Sequence, residues 1–165
     1  LINAAKQLAQ AGITPRWLLV GTQISESEVL QDWPIDLRKF VDVRCKVDPS
    51  EDDSIYSQAT IFILPSFYEG QPLTLLQAME SGRCVITSRC CGQIDIISDG
   101  QNGLLFNPGD SNKLSKLIAM TLSNNDLRLK LGRGAKAAMS TRRWSLVSDE
   151  VVNRLEQFYQ KNFLT

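Results

Sequence analysis

The segment PSFYEGQPLTLLQAMESG, Pro65 to Gly82, carries the residues whose types can do chemistry: a carboxylate, Glu69, and a glycine, Gly70, directly before a short, very apolar helix. A helix beginning near Pro72 leaves its first amides without intrahelical partners, and Gln71, the expected cap, is a poor capping residue beside Ser, Asp or Asn. Pro72 suits the first helical position. Leu73, Leu75, Leu76, Ala78 and Met79 cover most of the helix surface, which predicts a buried helix with only its N-terminus at a surface. Open amides on such a helix form an anion site. Two readings stand at this point: an anion held there, or water and a neighbouring loop on those amides, with Gly70 serving only a turn.

The elements that must position this segment alternate along the chain. Residues 1–12 read as a helix ended by glycine, and RWLLVGT (Arg16 to Thr22) as a short apolar strand. VDVRCKV (Val41 to Val47) is a second strand, Ser50 caps a helix, and TIFILPS follows as a buried strand closed by Pro65. CVITS, Cys84 to Ser88, is the next strand, reached through Gly82. DGQNGLLFNPGD (Asp99 to Asp110) is a turn, a brief strand and another turn. From there the chain is helical, with Asp110 capping the first segment and a last amphipathic helix carrying Trp144, Val147, Val151, Leu155 and Phe158 on one face. Strands alternating with helices predict an α/β fold: a Rossmann-like three-layer domain with a parallel sheet covered on both faces. In such sheets ligands bind outside the carboxyl ends of the strands, and Ser66 to Gly70 leave the carboxyl end of TIFILP.

Composition excludes several classes. The 165 residues are 43% hydrophobic and 22% charged, enough for one domain with a substantial core. Eighteen basic residues balance eighteen acidic ones with no basic block, so no nucleic acid is expected as a partner, and any phosphate is bound locally. No apolar run approaches ~18 residues. The start at Leu1 reads as the cut edge of a larger protein. Cys45, Cys84, Cys90 and Cys91 have no metal-ligand spacing and the chain has no histidine, so no metal site is expected and the cysteines read as reduced thiols. Glu51, Asp52 and Asp53 are first-turn helix residues that complement the helix dipole. Neither Gly-x-Gly-x-x-Gly nor a Walker loop is present, which argues against dinucleotide oxidoreductases and P-loop enzymes.

LPSFYEGQPLTLLQAMESGRCVITSRCCGQIDIISDGQNGLLFNPGD resembles the signature of retaining glycosyltransferases of family 4, the glycosyl transferases group 1, in their C-terminal, nucleotide-sugar-binding domain. Its core is Pro-Ser-x-x-Glu-Gly-x-Pro, an apolar helix, a glycine-rich turn and Asn-Gly-Leu-Leu-Phe. The resemblance implies that residues 1–165 form a single domain, one half of a GT-B fold with a helical C-terminal segment. The first strand, with its arginine and lysine, and the N-terminal acceptor domain would lie upstream.

The resemblance further implies that Glu69 is catalytic, contacting donor-sugar hydroxyls and favouring charge near the anomeric carbon. Gly70, Gln71, Pro72 and the amides of Leu73 and Thr74 would lie against the sugar and diphosphate. Gln77 stands where the family places a second glutamate toward the ribose, and is expected to face the crevice. Lys46 and Val47 match the loop that grips the nucleobase, although Lys46 reads equally well as a solvated lysine. No cofactor or metal is implied. The partners would be a UDP- or GDP-sugar and a saccharide or lipid-linked acceptor, and the protein cytoplasmic or peripheral at the inner membrane through its N-terminal domain. The isolated fragment would be inactive. Gln77, Cys91 in place of the first glycine of the turn, and Asp95 in place of a glutamate depart from the pattern and leave open a pseudo-enzyme or a non-catalytic nucleotide-binding module. A half-domain of a sugar-nucleotide epimerase is the enzymatic alternative. A signalling receiver is disfavoured, because the strand ends lack its aspartates and lysine.

Overall fold

The computed structural model describes residues 1–47, 52–140 and 152–160. In chain order these form α1 (Ile2–Gln10), β1 (Trp17–Val20), α2 (Glu26–Gln31), a 3-10 turn (Arg38–Phe40), β2 (Val41–Arg44), α3 (Asp52–Gln58), β3 (Ile61–Leu64) and α4 (Leu73–Glu80). There follow β4 (Cys84–Ser88), α5 (Cys91–Ile94), β5 (Leu104–Phe106), α6 (Ser111–Ser123) and α7 (Asn125–Ser140). Residues 152–160 are helical and carry Leu155 and Phe158 exposed. Ser50, Trp144, Val147 and Val151 lie outside the described residues.

Every strand pair described is parallel, as the alternation of elements requires. The sheet is divided, however: β1 pairs with β2, and β3-β4-β5 form a separate three-stranded sheet, with no ladder joining the two among the described residues. In the larger sheet Ile61 lies opposite Cys84, Leu64 opposite Thr87, and Ser88 opposite Phe106. This register brings the loops that leave β3 and β4 side by side. All five residues of β4 are buried, as a central parallel strand covered on both faces demands.

Successive β4 residues feed opposite layers. Cys84 and Ile86 join Leu104 and Phe106 beneath α1 (Ala4, Ala5, Leu8) and α6 (Leu114, Leu117, Ile118). Trp17 and Val41 of the smaller sheet sit in that same cluster, so one helical layer serves both sheets. On the other face Val85 and Leu105 meet Leu75, Ala78 and Met79 of α4, Tyr56 of α3 and Ala135 of α7. Helix α7 comes close enough that a Cβ on Gly132 would stand 2.3 Å from the Gly82 carbonyl oxygen, so only glycine lets it pack on the turn that leads α4 into β4.

Two short helices were not anticipated. Helix α2 buries no residue, but it starts with a reciprocal capping box: Ser25 Oγ accepts from the Glu28 amide, and Glu28 Oε2 accepts from the Ser25 amide. Helix α5 replaces the expected glycine-rich turn. Asp110 caps α6 as anticipated, accepting from the Lys113 amide at 2.8 Å.

Candidate functional site

Chain direction and sheet register build the site at the carboxyl ends of β3 and β4. Strand β3 stops before Pro65, and Ser66 to Gln71 cross to α4. The Ser66 hydroxyl donates to Glu69 Oε1 at 2.8 Å, so the half-buried carboxylate is held from within its own loop. The last residue of β4 and the segment after it hold the loop from outside. Ser88 Oγ donates to the Ser66 carbonyl, Cys90 Sγ lies 2.8 Å from Gln93 Oε1, and the Gly92 amide donates to the Glu69 carbonyl at 3.0 Å. Ser88 Oγ also approaches Gln93 Oε1 (3.1 Å), and Cys90 Sγ the Ser66 carbonyl (3.4 Å). With one proton each, the serine and the thiol serve the two acceptors between them. Gln93 is fully buried, and its Nε2 has no partner among the described residues.

The approach of α5 is tight. A Cβ on Gly92 would sit 2.2 Å from the Gly70 carbonyl oxygen. Just before it Cys91 takes φ +40°, a left-handed conformation that favours glycine, at the position already identified as a departure. Cys91 is exposed, Cys90 half-buried, and the four cysteines are unbridged. Burial pushes the Cys84 thiol in β4 up to about 11, so it stays protonated and inert at neutral pH.

The start of α4 differs by one residue from the expectation. Pro72, not Gln71, is the N-cap, with φ −78° and ψ 80°, and Leu73 is the first helical residue, because the Leu73 amide turns back onto the Gln71 carbonyl at 2.9 Å. The Leu73 amide is therefore spent. Leu75 and Leu76 donate to the Pro72 carbonyl, and no side chain caps the helix. Among the described residues this leaves the Thr74 amide as the first-turn donor without a protein partner. The burial pattern fits a helix with only its start at the surface: Leu75, Ala78 and Met79 are fully buried, whereas Leu73 is 55% exposed. No atom lies within 4 Å of where a Gly70 Cβ would be, so the space beside Gly70 is open. Phe67 and Tyr68, each 75% exposed, stand at the rim.

Gln77 does not simply face an open crevice. It is half-buried, and its Oε1 accepts from the buried Tyr56 hydroxyl at 3.0 Å, which ties it to α3. Lys46 is exposed and Val47 half-buried after β2, and no hydrogen bond among the described residues joins either to the Glu69 loop. The fold thus gathers Glu69, Gly70, Gln71, Pro72 and Thr74 at one place, sets Gln77 one turn along α4, and leaves Lys46 and Val47 on the other sheet. Ser66, Tyr56 and Gln93 were missed. Only Ser66 carried a readable signal, a hydroxyl three residues before the carboxylate. Among the described residues no group of three metal-ligating side chains occurs, and no helix is long and apolar enough to cross a membrane.

A fixed carboxylate, an unpaired helix-start amide and open space between them fit a ligand with hydroxyls beside an anionic group. Residues 1–138 match the family described as glycosyl transferases group 1. The N,N'-diacetylbacillosaminyl-diphospho-undecaprenol alpha-1,3-N-acetylgalactosaminyltransferase of Campylobacter jejuni is 36% identical over 75 residues, 46% of this chain and 20% of that protein. The chain therefore spans a minor part of this curated relative. Sucrose-phosphate synthase of Thermosynechococcus elongatus superposes with a TM-score of 0.76 at 21% identity, covering 98% of this chain and 43% of that one. Anabaena Alr3699/HepE in complex with UDP-glucose superposes with a TM-score of 0.67 at 15% identity, covering 94% of this chain and 52% of that one. At these identities the two structures establish the shared fold.

Proposed function

This chain belongs to the glycosyl transferases group 1 family, and from that premise we propose that it is the donor-binding half of a retaining, family 4 hexosyltransferase. It takes a nucleoside diphosphate sugar, UDP- or GDP-linked, at the carboxyl ends of β3 and β4. Glu69 lies against hydroxyls of the sugar and favours positive charge as it grows at the anomeric carbon. The diphosphate rests over Gly70 and the start of α4, where the Thr74 amide and the helix dipole stabilise negative charge on the leaving group. Gln71, Pro72 and Leu73 shape the floor. Gln77 reaches the ribose, and Lys46 and Val47 flank the base. The acceptor, a saccharide or lipid-linked sugar, is held by an N-terminal domain of the whole enzyme, and the reaction needs no metal.

The observation that carries this reading is the pairing of a hydroxyl-anchored carboxylate with an uncapped helix start four residues further on. The division into two sheets that share one helical layer is consistent with the domain reading, in which a parallel strand before α1 would join them. Titrating the isotopically labelled chain with UDP, GDP and ADP by NMR tests the site. Amides from Gly70 to Gln77 shift with at least one nucleotide at millimolar concentration, and saturating titrations that move none of them overturn the assignment.

A further inference from the structure

We propose that Ser66 is a positioning residue for the donor sugar: its hydroxyl fixes the Glu69 carboxylate so that Oε2 is turned toward the ligand, while the Ser88, Cys90 and Gln93 cluster holds Ser66 in place. The proposal rests on the reading that Glu69 faces the sugar. A glutamate in an open loop swings among many rotamers, and that freedom is lost when it binds. Here it is restrained in advance. Ser66 Oγ has a single proton, given to Oε1 at 2.8 Å, and among the described residues no group bonds to Oε2.

Ser66 is itself restrained on the opposite side of the residue. Its carbonyl receives Ser88 Oγ and lies 3.4 Å from Cys90 Sγ. Both of those groups also contact the amide oxygen of Gln93, which has no solvent exposure. The Gly92 amide on the Glu69 carbonyl fixes the other end of the loop. The four residues from Ser66 to Glu69 thus have both ends pinned to the end of β4 and the segment after it, and one internal bond from hydroxyl to carboxylate. A loop built only to connect β3 with α4 needs no bond to the carboxylate. The bond matters if the direction of the second oxygen matters.

Calorimetric titration of the chain with UDP and with UDP-glucose separates this role from a structural one. The ratio of the two dissociation constants reports the share of binding that belongs to the sugar. Ser66→Ala cuts that share roughly three- to ten-fold, the range for one ordinary intramolecular hydrogen bond, and leaves UDP binding within two-fold. Ser66→Thr restores it. In a Glu69→Ala background Ser66→Ala has no further effect on the ratio, because the carboxylate it orients is gone. Equal weakening of both ligands, or an undiminished effect of Ser66→Ala in the Glu69→Ala background, makes Ser66 a structural residue and overturns the proposal. A second measurement needs no ligand: the Ser66 hydroxyl proton exchanges slowly with water in the parent chain and rapidly in Glu69→Ala, which lacks the acceptor. Fast exchange in the parent overturns the proposal even where UDP binds. Slow exchange with no binding of either nucleotide overturns the donor-site reading and keeps the Ser66–Glu69 bond.

Discussion

Substituting Gly92 with alanine tests how the loop carrying Glu69 is held. The new methyl carbon would sit 2.2 Å from the Gly70 carbonyl oxygen, 3.2 Å from the Gly70 carbonyl carbon and 3.3 Å from the Glu69 carbonyl oxygen. An ordinary carbon–oxygen contact is over 1 Å longer than the first of these, and the obstructing atoms are backbone, so no side-chain rotation relieves the clash. Helix α5 and the loop must separate by about 1 Å, which stretches the 3.0 Å bond from the Gly92 amide to the Glu69 carbonyl beyond hydrogen-bonding range. Losing that bond costs on the order of 1 kcal/mol, and overpacking adds about 1–3 kcal/mol. The total of roughly 2–4 kcal/mol lowers the melting temperature by about 5–15 °C for a chain of this size. Circular dichroism melts of parent and variant measure it, and UDP titrations followed by NMR show whether Gly70 to Gln77 still respond. A Gly92→Ala chain that melts within 1 °C of the parent and keeps its nucleotide shifts would falsify the account of the loop clamp.

The contrasting substitution is Gly70→Ala, which meets open space: it leaves unfolding stability within about 0.5 kcal/mol and weakens UDP binding at least several-fold, and unchanged affinity removes the ligand from that space. Gln77→Glu keeps an acceptor for Tyr56 and adds charge, so it tightens UDP several-fold and leaves a 2',3'-dideoxy analogue unchanged; an equal gain for both excludes the ribose as its partner. Cys84 resists a thiol reagent at pH 8 in the folded chain while exposed Cys91 reacts, as mass spectrometry of the labelled peptides shows. Because the folded-state value is raised from 9.0 to about 11, the contribution of the Cys84 thiol is fully present below about pH 9 and lost as pH climbs toward 11; urea unfolding of Cys84→Ala therefore shows a flatter decline over that window than the parent.

The strands were readable because β1, β3, β4 and β5 are largely apolar runs of strand length and β2 alternates Val41 and Val43 with Asp42 and Arg44, and Asp110 announced α6 by a cap whose partner is three residues away. Local chemistry misplaced the start of α4 by one residue, since the tight turn from the Leu73 amide to the Gln71 carbonyl competes with helix geometry at Pro72. Helix α5 was hidden by its length of four residues and by a cysteine at positive φ, which no propensity favours. The contacts of the site were the least legible. Gln77 meets Tyr56 across 21 residues and Ser88 meets Ser66 across 22, pairings that exist only because β3 and β4 align in one register and α3 packs beside α4. The division of the sheet was invisible for a related reason, since strand order is a property of the assembled fold.

The two sheets share a layer of helices but, among the described residues, no ladder of backbone hydrogen bonds. Cooperativity between them must therefore pass through side chains, chiefly Trp17 and Val41 against α1 and α6. Opening of one sheet breaks no ladder of the other, so the two are expected to behave as foldons of unequal strength. The β1-β2 pair, with Val20 already 42% exposed at its end, opens first, and its amides exchange with solvent by local fluctuations. Strands β3 to β5, built around the wholly buried β4, exchange only on global unfolding. The loop bearing Glu69 belongs to this second unit, so its geometry outlasts partial melting of the first half of the chain.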